Sequence, residues 1–239
     1  NNDTIINNVI AILKNVQMSR GFIHNTDFSD AILTDVNFST ARILNSNFNN
    51  SILDNVESIG AAIQNNSFKK TEIKNTTFKR CYLYYNDFSE TKFKNVKMEN
   101  VVLAGSNFSR VDFSSIKINE GTNFGPQIAG EDVHVKGAIL NHADFRYNNL
   151  KNAIFAPFLI DESSFSVWDE NKTAAAASSY LNNLSVDASN ANFSNLDLSE
   201  KNLALIKFTF ANLSYTNLAN ADLRYSDLSG ANLEGANLE

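Results

Sequence analysis

The stretch FANLSYTNLANADLRYSDLSGANLEGANLE, residues 210–239, decides the fold. Leu213, Leu218, Leu223, Leu228, Leu233 and Leu238 recur every five residues. Two places before them stand the small residues Ala211, Thr216, Ala221, Ser226, Ala231 and Ala236, and one place before each leucine stands Asn or Asp. Five is neither the two-residue period of a half-buried strand nor the 3.6 of an amphipathic helix. A repeat this short cannot bury its own apolar residues, so neighbouring coils of a solenoid must cover one another.

The same arithmetic runs through the first half with bulkier centres. Phe28, Leu33, Phe38, Ile43, Phe48 and Leu53 lead through Ser58 to a series from Ile63 to Ile118. Phe28, Phe48, Phe68, Phe88 and Phe108 lie twenty apart. Four repeats per coil would stack these rings in one internal column, with coils about 4.8 Å apart. Leu33, Leu53, Ile73, Phe93 and Phe113 would form the next column, and Ile23, Ile43, Ile63, Leu83 and Leu103 an aliphatic one. The residues two before the centres are mostly small, with Asn66 and Asn86 as larger exceptions. After Ile118 the register lapses and returns at Leu140, Phe145, Leu150, Phe155, Ile160 and Phe165. It lapses again and resumes at Phe193.

This pattern resembles the pentapeptide-repeat family over residues 16–119, 136–165 and 188–239. The resemblance implies an all-β solenoid, a right-handed quadrilateral β-helix whose centre and minus-two residues point inward. It says little of function, because one fold hosts unrelated roles. The expected organisation is an N-terminal cap (1–15), a repeat stack (16–119), a loop interruption (120–135), a second stack (136–165), a helical insertion or hinge (166–187) and a third stack (188–239). Ile5, Ile6, Val9, Ile10 and Leu13 are the apolar residues available to the cap. Gly121, Gly125, Pro126 and Gly130 punctuate the loop, where Phe124 and Ile128 could pack on the solenoid. In the second interruption Asp169 could cap a helix over about residues 170–184, carrying Ala174 to Ala177, Tyr180 and Leu184. Trp168, the one tryptophan, precedes it. Trp168, Tyr180 and Leu184 are read as packing for a hinge or as a partner-binding helix, since aromatic anchors dominate protein interfaces.

Catalytic signatures are missing from the sequence. There is no HExxH, CxxC, GxSxG, P-loop or dinucleotide fingerprint. Asp27, Asp87, Asp112, Asp144, Asp197, Asp222 and Asp227 precede repeat centres and read as turn acceptors rather than catalytic carboxylates. His24 and His142 fall outside the repeat core. Cys81, the single cysteine, occupies an inward minus-two place and reads as a buried thiol. The expectation is a chain that is not an enzyme and has no cofactor or metal. No apolar run is long enough for a membrane-spanning helix.

The formal net charge is −6, but residues 69–97 carry eight basic against three acidic side chains. Some pentapeptide-repeat proteins mimic DNA and bind gyrase, which requires an acidic rod; this basic belt runs against that reading and keeps it as an alternative. Beside the belt, Arg80, Tyr82, Tyr84 and Tyr85 break the usual Ser/Asn surface and are candidate partner-binding residues. The expected function is a protein-interaction or scaffold module with an unidentified protein partner. A passive spacer is the third reading, and direct nucleic-acid binding is not expected. The chain stops in mid-pattern, which is read as a piece of a longer bacterial protein or as an end-to-end homodimer through Leu233 and Leu238. Cytoplasmic residence is the expectation, with secretion as an effector left open.

Overall fold

A computed structural model describes residues 10–118, 121–125, 127–128, 134–135, 138–140, 142–145, 150, 153–155 and 185–239. They form a four-sided all-β solenoid. In each repeat the centre and the residue two before it point inward, the residues on either side of the centre point outward, and the residue two after it turns a corner. That corner residue has a positive φ, as at Asn15, Asn45, Asn75, Asn190 and Asn220. Asparagine suits it because its short polar side chain tolerates the left-handed region.

The first face carries the Phe28 column, the second the Leu33 column, the third the Phe38 column and the fourth the Ile43 column. On the second face β1 (Ile12–Lys14), β3 (Ile32–Thr34), β5 (Ile52–Asp54), β8 (Glu72–Lys74) and β11 (Lys92–Lys94) pair in parallel. On the third, β6 (Glu57–Ile59), β9 (Thr77–Lys79), β12 (Val96–Glu99) and β13 (Ile116–Ile118) do so. The fourth holds β2 (Phe22–His24), β4 (Arg42–Leu44), β7 (Ala62–Gln64) and β10 (Tyr82–Tyr84). The first face stacks through single bridges such as Asp27↔Asn47 and Asn47↔Ser67.

One local choice separates strands from turns. None of the parallel strands has Asn or Asp before its centre. Where Asn or Asp stands there, its Oδ1 accepts the N–H of the residue after the centre, as in Ser29 N to Asp27 at 2.9 Å and Ser39 N to Asn37 at 2.8 Å. The centre's carbonyl then accepts the N–H three residues on, as in Ala31 N to Phe28 O at 3.1 Å. This Asx turn competes with the extended backbone and replaces it. Gln17, Ser67, Val102 and Lys207 take the turn without such a side chain.

The expected ring column is present. Successive centroids from Phe28 to Phe108 lie 4.8, 4.7, 4.8 and 4.9 Å apart, the spacing of paired strands. Asn66 and Asn86, out of scale for their slots, are completely buried and form a ladder. Asn66 Nδ2 donates to Ile43 O, Gln64 O and Asn86 Oδ1, and Asn86 Nδ2 donates to Ile63 O. Buried amides persist only when paired in this way.

The expected boundaries shift. Leu13, placed in the cap, is a repeat centre in β1 and pairs with Leu33; residues 1–9 lie outside the described residues. Phe124, placed in the loop, is fully buried and stacks on Phe155 at 5.1 Å. Asn123 bridges Val102 below and Ile154 above. The chain therefore completes the fourth face before it departs. Beyond Gly125, β14 (Gln127–Ile128) pairs antiparallel with β15 (His134–Val135), and the stack resumes at Ala138 and Leu140. After Phe155 it resumes at Val186 and Ala188, because Asp187 bridges Ile139 and Asn192 bridges Asp144. The places above Leu140 and Phe145 thus belong to Ala188 and Phe193. Both interruptions leave from the fourth face and return to the first, so they share one corner in successive coils. The expected helix, with Trp168, Tyr180 and Leu184, lies outside the described residues, as do Ile160 and Phe165. Lys201 Nζ donates to Ala153 O at 3.1 Å, tying the coils on either side of the second interruption.

Candidate functional site

The fourth face differs from the other three. Its five regular coils, residues 20–25, 40–45, 60–65, 80–85 and 100–105, contain no Asp or Glu. They contain Arg20, Arg42 and Arg80, in a protein whose net charge is −6. In the first four of these coils the residue before the centre is not Asn or Asp, the backbone is extended, and the flanking side chains project outward; at Val102 the backbone turns.

Strand register builds two rows along the rod. Phe22, Arg42, Ala62, Tyr82 and Val102 form one, and His24, Leu44, Gln64 and Tyr84 the other. Phe22 is 65% exposed and Tyr82 is 51% exposed. The Arg42 guanidinium lies 5.9 Å from the Phe22 ring centroid, within cation–π range. His24 stacks on the same ring at 5.8 Å and exchanges a hydrogen bond with Asn45 Nδ2 at 3.1 Å. From Phe22 to Tyr82 is three coil steps, about 14 Å.

The structure brings the sequence candidates Arg80, Tyr82, Tyr84 and Tyr85 together on this face. Tyr82 and Tyr84 tilt against each other at 5.9 Å. Burial, then the neighbouring Tyr82, pushes the Tyr84 phenol above its ordinary value. Arg80 and Tyr85 hold corners with positive φ. The Tyr85 ring covers Gly105, where a Cβ would stand 2.6 Å from Cδ1, so only glycine accommodates it. Phe22, Arg20, Arg42 and His24 escaped the sequence reading. Their signal was present, since Phe22, Arg42 and Tyr82 are separated by multiples of twenty, but it shows only once outward residues are sorted by face.

The lysines of the basic belt are partly neutralised elsewhere. Lys74 pairs with Asp54 and Glu72, and Lys79 with Glu99 at 2.6 Å. Cys81 is buried, donates to Ser58 O at 2.8 Å, and has its thiol pushed up by burial. Among the described residues no group of three His, Cys, Asp or Glu side chains gathers where it could hold a metal, and no helix is long and apolar enough to cross a membrane. Leu233 and Leu238 stand at the last coil, Leu233 packed on the core and Leu238 56% exposed.

Comparison with known proteins places this geometry. The family model for a pentapeptide repeat region matches residues 51–125, and that for pentapeptide repeats matches 11–55, 187–224 and 202–239. The chain belongs to the pentapeptide-repeat family. Among solved structures it is similar to HetL, a pentapeptide-repeat protein involved in heterocyst differentiation regulation in the cyanobacterium Nostoc sp. strain PCC 7120. Identity there is 18%, TM-score 0.54, and the match covers 93% of this chain and 89% of HetL. It is also similar to QnrB1, a plasmid-mediated fluoroquinolone resistance protein, at 18% identity and TM-score 0.52, over 96% of this chain and 91% of that one. At this identity the likeness concerns the fold. No curated protein matches the sequence.

Proposed function

We propose that this protein is a non-enzymatic bacterial interaction module whose fourth face binds an acidic surface of a partner protein. The observation that carries the reading is the row Phe22, Arg42, Tyr82 on a five-coil face without a carboxylate. Arg, Tyr and other aromatic residues dominate interface energetics, and arginines on a face whose coils carry no carboxylate favour an acidic counterpart. A passive spacer would not need one face purged of acids. The DNA-mimic alternative, a gyrase or topoisomerase regulator, draws on the shared fold with QnrB1. The excess of basic residues over 69–97 weighs against it. An end-to-end homodimer through Leu233 and Leu238 is compatible with the module and would leave the fourth face free.

The test is direct binding of a fluorescent hexaglutamate peptide, read by anisotropy. Arg42→Glu combined with Tyr82→Asn should weaken binding at least tenfold, about 1.4 kcal/mol, with the circular dichroism spectrum unchanged. Equal affinity of the parent for hexaglutamate and for an uncharged Gly-Ser hexamer would sink the reading. Capture of one stoichiometric partner from lysate that survives removal of residues 168–184 but not Arg42→Glu would assign the contact to this face rather than to the second interruption.

A further inference from the structure

We propose a second docking surface on the C-terminal coils, formed by Phe210, Tyr215 and Tyr225, for a lysine- or arginine-rich segment of a partner protein. These three rings occupy corners with positive φ. The corners below Phe210 and Tyr215 hold Asn190 and Asn195, which the left-handed region accepts far better than a bulky aromatic side chain, whereas Leu205 lies below Tyr225. The rings give the core little in return, being 66%, 58% and 64% exposed. For Phe210 and Tyr215 the corner alone does not call for a ring.

Their seats are built. In the next coil Gly230 lies under Phe210 and Gly235 under Tyr215. A Cβ at Gly235 would stand 2.6 Å from Tyr215 Cδ1, and one at Gly230 would collide with the Phe210 ring. Each of these rings rests on glycine backbone on one side and meets water on the other. The Tyr215 hydroxyl donates to Glu234 Oε1 at 3.3 Å, which fixes that ring.

The three corners are consecutive around the rod, and each intervening face carries a carboxylate. Asp227 lies between Tyr225 and the Phe210–Gly230 corner, and Glu234 between that corner and Tyr215–Gly235. Lys207 lies below Asp227 in register and offsets it in part, whereas the residue below Glu234 is Ser214. Arg224 is engaged by Asp222 through two hydrogen bonds, at 2.9 and 2.8 Å. Residues 185–239 hold seven acidic and three basic side chains. An ammonium or guanidinium group seated on one of these rings and beside a carboxylate gains both cation–π and Coulomb attraction. Charge complementarity thus selects a basic segment, opposite in sign to the partner of the fourth face.

The experiment measures anisotropy of a labelled hexalysine peptide on the full chain, with a Gly-Ser hexamer as reference. The ring variant replaces Phe210, Tyr215 and Tyr225 together by Asn, the residue these corners accept most readily. Its expected result is a tenfold or greater loss of hexalysine affinity with hexaglutamate binding unchanged. Asp227→Asn with Glu234→Gln, which leaves the rings in place, should lose affinity severalfold. Hexalysine affinity unchanged in both variants, or no preference of the parent for hexalysine over the Gly-Ser hexamer, overturns the proposal. Because hexaglutamate reports on the fourth face separately, failure of either surface is seen without the other.

Discussion

The coils before the interruptions and those after them obey one five-residue rule and use it differently. Residues 10–118 have thirteen basic against ten acidic side chains, whereas residues 185–239 have three against seven. The first block stacks rings and large aliphatics and forms strands on three of its four faces; the second places mostly leucine and alanine in turns and forms no strand. The cause is the residue before each centre. In the second block it is Asn or Asp in every repeat but that of Lys207, and its oxygen is spent capping the turn, as in Ser194 N to Asn192 at 3.1 Å. The first block frees that position on its strand faces, so Phe22, Arg42 and Tyr82 can project from them. In the second, large exposed side chains are left to the corners, where Phe210, Tyr215 and Tyr225 stand. Backbone chemistry thus decides where on the rod a binding surface can be made.

The largest effect should come from the cores. Phe88 is fully buried between Phe68 and Phe108, at 4.8 and 4.9 Å. Phe88→Ala should cost about 3–5 kcal/mol in urea unfolding, and Leu213→Ala about 2–5 kcal/mol. A larger loss for Leu213→Ala than for Phe88→Ala would show that the aromatic column is not the stiffer part of the rod.

An intermediate effect isolates the corners. Gly235 has φ +66° and lies under the Tyr215 ring. Gly235→Ala should destabilise by about 1–2 kcal/mol from the left-handed backbone alone, and by more from the displaced ring. In a Tyr215→Asn background the ring contribution should vanish, leaving a coupling energy in a double-mutant cycle. Additive substitutions would mean that the ring does not rest on the glycine.

The smallest effect is acid sensitivity. Hydrogen bonds from Ser229 hold the Asp227 carboxyl below its ordinary range, and those from Arg224 do the same for Asp222. In the first block Asp27 is similarly lowered by Ser29. A carboxyl with a lowered folded pKa binds fewer protons when folded than when unfolded. Its stabilisation is therefore complete above the unfolded value of about 3.9 and is lost as pH falls through the folded one. Amide exchange between pH 5 and 3 should show the C-terminal coils losing more protection than the N-terminal ones, and Asp227→Asn should lessen that loss. Equal acid loss in both blocks would contradict this contrast.

Much of the fold was legible in the sequence. The period gave the solenoid, and the twenty-residue recurrence of Phe28 to Phe108 gave four faces and the ring column. What misled was counting through the interruptions. Arithmetic extends the second stack to Ile160 and Phe165, but the coil closes with Ala188 and Phe193, because pairing above Leu140 and Phe145 is a contact between distant segments. Leu13 and Phe124 were misplaced for a related reason: a repeat centre at the edge of a gap has too few neighbours in sequence to reveal its register. Of the candidate site, Arg80, Tyr82, Tyr84 and Tyr85 were legible as one unusual cluster. Phe22 and Arg42, which stand three coils and two coils before Tyr82, were not.

By itself the sequence determined the repeat, its inward and outward positions, and the turns wherever Asn or Asp precedes the centre, because each of these is settled within five residues by local burial and hydrogen bonding. Only the tertiary structure decided which outward residues share a face, that both interruptions leave at one corner, and that the rings of Tyr85, Phe210 and Tyr215 lie on glycines twenty residues ahead. Those facts depend on how one coil is set upon the next, and that setting is a property of stacked pairs, not of any single repeat.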